Sequence, residues 1–136
     1  MNPRKTLAAA ILAGQLLAAP VLGATTASAA SGLTLEAQAR TVVGEFFQTI
    51  NARQFGRTCD LLSRAFYRQN HIPDRKHCVL GLTVGLTNTP TVFFKILGVR
   101  PEGGGAVVRT RANGAPGQIV LVRESGALRI LKVAGV

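Results

Sequence analysis

Acidic side chains are scarce in this chain: six Asp and Glu stand against sixteen Lys and Arg, for a formal net charge of +10. The six are Glu36, Glu45, Asp60, Asp74, Glu102 and Glu124. Glu36 and Asp74 read as helix-start residues, Glu45 as a solvent-face charge, and Glu102 and Glu124 as turn residues. That leaves Asp60 as the one carboxylate placed to turn inward. Metal-ligand spacing is also missing, because the two cysteines and two histidines form neither CxxC nor HxxxH. No Ser-His-Asp arrangement stands out, and Gly103-Gly104-Gly105 lacks the lysine and helix of a phosphate-binding loop. Aromatics make up only 5 % of the chain. Without a reader motif beside the basic residues, a specific nucleic-acid reader is excluded. No cofactor and no metal are expected.

A long hydrophobic run is absent too. The uncharged stretch 7–21 is interrupted at Pro20 and falls short of the about 20 apolar residues that a spanning helix needs. Arg4 and Lys5 precede it, and Ala27-Ser28-Ala29 follows. A charged start, a short apolar region and a small-residue cleavage site are the parts of a secretory signal peptide. The expectation is therefore a signal peptide over 1–29, cut near Ala29, and a single exported domain over 30–136 with no transmembrane anchor. No cysteine directly follows the apolar stretch to carry a lipid, and Arg4-Lys5 is not a twin-arginine pair.

Export changes how the cysteines read. Cys59 and Cys78 are the only two, and in an oxidising compartment such a pair most often forms a structural disulfide. A zinc site would need further ligands at sensible spacing, and two free thiols are the remaining alternative.

Thr34 is a helix cap, and apolar residues then recur at Ala39, Val42, Val43, Phe46, Phe47 and Ile50, the stripe of an amphipathic helix. After a break at Asn51-Ala52-Arg53, a second short helix buries Phe55, Cys59, Leu61, Leu62 and Phe66. Pro73 and Asp74 start a third, with Cys78, Val79, Leu82 and Leu86 on one face, which stops before Pro90. Strands are predicted over 92–99, 106–111, 118–123 and 127–133. Turns at Glu102-Gly103-Gly104-Gly105, Asn113-Gly114-Ala115-Pro116-Gly117 and Glu124-Ser125-Gly126 separate them. The fold class is α+β: three N-terminal helices on a curved four-stranded antiparallel meander. Ala106, Val108, Thr110, Leu128 and Ile130 should form the helix-facing side. Val107, Arg109, Arg111, Arg129, Leu131 and Val133 should point away.

The order of elements, with Phe46-Phe47-Gln48-Thr49-Ile50-Asn51-Ala52-Arg53-Gln54-Phe55 and Cys59-Asp60-Leu61-Leu62-Ser63, resembles the nuclear transport factor 2-like superfamily. The likeness is to its small secreted bacterial members of SnoaL-like and ketosteroid isomerase-like type, and it covers residues 35–133. It implies a cone in which a curved sheet wraps the helices around a pocket, with Phe47, Phe66, Tyr67 and Phe94 as lining candidates. Enzymes of this type place an acid or a histidine base in the pocket. Here the strands that usually carry the acid have none, and the last strand reads Leu128-Arg129-Ile130 where a tryptophan is common.

Three side chains are weak catalytic candidates. Asp60, if buried, could act as a base; the plainer reading is a surface acid paired with Arg57 or Arg64. His71 could transfer a proton and Tyr67 could donate to a ligand oxygen; the plainer reading is an exposed loop with an amphipathic tyrosine. Arg64, Arg68, Arg75 and Lys76 cluster between helices, with Arg53 and Arg57 just before, while Lys95, Arg109, Arg111, Arg123 and Arg129 decorate the sheet. Anionic envelope components suit such a basic surface. The leading expectation is a secreted, non-catalytic domain that binds a small apolar ligand or an acidic cell-envelope partner. The alternatives are an isomerase-, cyclase- or hydrolase-like enzyme in the cone and a structural homodimer formed through the sheet.

Overall fold

In the computed structural model, which describes residues 33–135, Thr34 caps the first helix through its hydroxyl, which accepts from the Ala37 N–H at 3.1 Å. The 1–29 segment read as a signal peptide lies outside the described residues. Helix α1 (Leu35–Asn51) buries Ala39, Val43, Phe46, Phe47 and Ile50 along one face, as the periodicity predicts. Arg53, in the left-handed region at φ 59°, turns the chain away.

The second expected helix is in fact two, α2 (Phe55–Asp60) and α3 (Arg64–Gln69). Leu61-Leu62-Ser63 leaves the helical path to serve the outer edge of the sheet. Leu62 forms a parallel bridge with Ile130. The Ile130 N–H donates to the Leu61 carbonyl and the Ser63 N–H to the Ile130 carbonyl, both at 2.8 Å. Ser63, fully buried, then caps α3 by accepting from the Phe66 N–H. Unpaired strand-edge groups need partners, and satisfying them outweighs the helical pattern. The helix opened by Asp74 is therefore the fourth, α4 (Arg75–Leu86).

The sheet is an antiparallel meander, β1 (Phe94–Glu102), β2 (Gly105–Ala112), β3 (Ala115–Glu124) and β4 (Ala127–Ala134), in that spatial order. All three turns have two residues: Gly103-Gly104, Asn113-Gly114 and Ser125-Gly126. Each residue in them has positive φ, the condition of the tight turn whose twist matches the strands. The predicted turns were too long. Ala115, Pro116 and Gly117 pair in β3, and Glu102 and Glu124 are the last residues of their strands. β1 starts two residues late because Val92 is held by a side chain instead: its N–H and carbonyl bond the Asn51 amide at 2.8 and 3.0 Å.

Ala106, Val108, Thr110, Ile119, Leu121, Leu128 and Ile130 are buried on the side that meets the helices, while Arg109 and Arg111 are exposed on the other. Val133 departs from its expected side. A bulge inserts Leu131 between the pairs Val120↔Lys132 and Leu121↔Ile130, and one extra residue reverses every later side chain. Val133 thereby packs on the core.

Candidate functional site

Helix α4 is pinned at both ends and sparsely packed between them. At its start, Cys59 and Cys78 form a disulfide that ties it to α2. The Asp74 carboxylate accepts from the His77 N–H at 2.9 Å and from the His77 ring at 2.7 Å. These two hydrogen bonds, the backbone one first, hold Asp74 below the usual carboxylate range. At its end, the Arg53 guanidinium donates to the Leu86 carbonyl at 2.6 Å and to that of Thr89. In the helix itself only Cys78 is buried; Leu82 and Leu86 are half-buried against the core, and Leu80 and Val84 face outward.

This stand-off leaves space beneath α4. A cavity of about 280 Å³ is lined by Phe46, Thr58, Leu62, Phe66, Asn70, Ile72, His77, Cys78, Gly81, Leu82 and Val133. Another, of about 430 Å³, is lined by Phe46, Phe47, Ile50, Leu82, Leu86, Thr89, Val92, Ala112, Asn113 and Val133. Phe46, Leu82 and Val133 belong to both walls, so the two adjoin as an apolar cleft in two lobes between α4 and the body of the domain. Gly81 lies in its wall, where a Cβ would meet nothing within 4 Å. Phe47 sits edge-on to Phe46 and stacks on Phe94, with centroids 5.3 and 4.6 Å apart. Among the pocket candidates, Phe47 and Phe66 line the cleft, while Phe94 only stacks on the ring of Phe47.

Tyr67 borders a different, polar pocket of about 460 Å³, together with Asp60, Arg64, Arg68, Arg75, Glu124 and Arg129; Leu62 and Ile72 also line it. Its phenol donates to the Cys59 carbonyl at 3.1 Å. Burial, then the Asp60 charge, pushes that phenol above its usual value, with Arg75 pulling the other way. Asp60 is exposed and pairs with Arg75, whose Nε and Nη2 donate to its two oxygens at 2.7 and 3.2 Å. This corrects the expected pairing with Arg57 or Arg64: α4 brings its first residue over the end of α2. Arg129 donates to the Asp60 carbonyl at 2.7 Å, and the Glu124 carboxylate accepts from the Arg64 N–H. The Arg64 and Arg68 guanidiniums have no hydrogen-bond partner among the described residues.

Asp60 and Tyr67 thus share a pocket, and His71 does not join them. It is exposed on the loop after α3, at φ 55°. Asp60 already lies in an exposed bidentate pair with Arg75, not in the buried setting expected of a base. Among the described residues no three His, Cys, Asp or Glu side chains stand together as a metal site would require. The sequence pattern misses Leu82 and Val133 as cleft walls, since Val133 needs the bulge and Leu82 needs α4 to stand off.

No family model matches the chain, and no curated protein or solved structure matches it.

Proposed function

We propose that this protein is an exported, non-catalytic domain of nuclear transport factor 2-like type that binds a small apolar ligand in the cleft beneath α4. The apolar wall that the two cavities share, Phe46, Leu82 and Val133, carries this reading. Both cavities are near or within the roughly 300–1,000 Å³ of small-molecule sites. The disulfide suits an oxidising compartment, in keeping with the signal-peptide pattern of residues 1–29. Among the described residues no helix is long and apolar enough to cross a membrane.

The catalytic alternative draws little support from the site, because Asp60 is tied to Arg75 and His71 stands apart from Tyr67. The test is native mass spectrometry of the disulfide-bonded protein with dodecan-1-ol, alongside the Leu82→Trp variant. Saturable binding of one molecule, weakened by an indole that fills the cleft while the circular dichroism is unchanged, is the expected result. Absence of saturable binding, or binding that a well-folded Leu82→Trp variant retains in full, would overturn the reading.

A further inference from the structure

The polar pocket and the apolar cleft adjoin. Leu62 and Ile72 line both the polar pocket and the 280 Å³ cavity, so the basic pocket and the apolar cavity share these two side chains as a common border. Within the basic pocket, each acid is already engaged: Asp60 with Arg75 and Glu124 with the Arg64 N–H. Arg75 and Arg129 are engaged too. What is left over is positive. Arg64 and Arg68 stand four residues apart on α3, hence on one helix face, where like charges repel. A shared anion would relieve that repulsion. A guanidinium fork matches carboxylate or phosphate oxygens, as Arg75 already shows on Asp60.

The cleft makes the opposite demand. Most of its few polar wall groups are engaged within the protein: the Thr58 hydroxyl bonds Thr49, the Asn70 amide bonds the Phe66 carbonyl, the Asn113 amide oxygen accepts from the Phe93 N–H and the His77 ring bonds Asp74, which leaves the Thr89 hydroxyl at one end as the exception. A guest bringing polar groups there would leave them unpaired, which costs affinity.

From this adjacency we infer that the ligand is a single-chain amphiphile, its compact anionic head held by Arg64 and Arg68 and its tail lying beneath α4. The inference rests on the apolar-ligand reading above and adds the head. The experiment compares dodecanoate, dodecyl phosphate and uncharged dodecan-1-ol by equilibrium dialysis at low salt, below micellar concentrations. The wild-type protein is set beside an Arg64→Gln/Arg68→Gln variant. At least one anion is expected to bind about tenfold or more tightly than the alcohol, and the tighter anion identifies the head. The double variant is expected to lose that advantage while binding the alcohol as before. If the alcohol binds as tightly as both anions, or the advantage survives the double substitution, the head assignment falls and the apolar cleft stands. If none of the three binds saturably, both readings fall.

Discussion

Thr110 holds its hydroxyl in the interior of β2 at 1 % exposure, with no hydrogen-bond partner among the described residues. A buried, unpaired hydroxyl is destabilising. Thr110→Val keeps the shape and is expected to raise stability by about 1 kcal/mol in urea unfolding; an equal or lower midpoint would contradict this. Tyr67 is the chain's only tyrosine, so phenolate absorbance reports it alone. Its raised value in the fold means the neutral phenol is favoured there. The resulting stability is complete below the unfolded value of about 10 and is lost as pH rises through the higher folded value. The native titration midpoint should therefore exceed the midpoint in denaturant, and coincident midpoints would refute the burial of the phenol. Much at this scale was legible from sequence. Thr34 and Asp74 are the caps their residue types imply, and Cys59 pairs with Cys78. The partner of Asp60 was not legible, because Arg75 lies fifteen residues away and reaches it only through the placement of α4.

At the scale of elements, α1 and the three strand turns follow from periodicity and from glycine. The departures arise where a tertiary demand overrides a local pattern: the edge of β4 splits α2 from α3, and Leu131 bulges to return Val133 to the core. Helix α4 is intrinsically weak for its length, with two glycines, Gly81 and Gly85, and Cys78 as its one buried residue. Gly85→Ala meets no atom within 4 Å and should stabilise the fold by about 0.5–1 kcal/mol in thermal unfolding; a lowered transition would contradict the helical geometry at that site. The disulfide, spanning 19 residues in sequence, is the main covalent restraint on this helix. Reduction is expected to cost about 3 kcal/mol and to raise hydrogen exchange in α4 before exchange in the sheet. Uniform exchange across both elements would mean that α4 does not depend on the bridge.

For the molecule as a whole, many of the basic side chains hold the fold together. Arg53, Arg111, Arg123 and Arg129 donate to backbone carbonyls, and Arg40, Arg75 and Arg100 pair with carboxylates. Composition alone could not separate these structural arginines from Arg64 and Arg68. The cleft was equally hidden, since it exists only because α4 is fastened at its ends and held off in between. The central claim is that this cleft is a ligand site, and methyl-resolved NMR during a dodecanoate titration tests it most directly. Saturable shifts at the Leu82, Leu86, Val92 and Val133 methyls, with Leu80 and Val84 on the outer side of α4 unmoved, are the predicted result. Shifts confined to Leu80, Val84 or the outer-face Val107, or no saturable shifts at all, would contradict it.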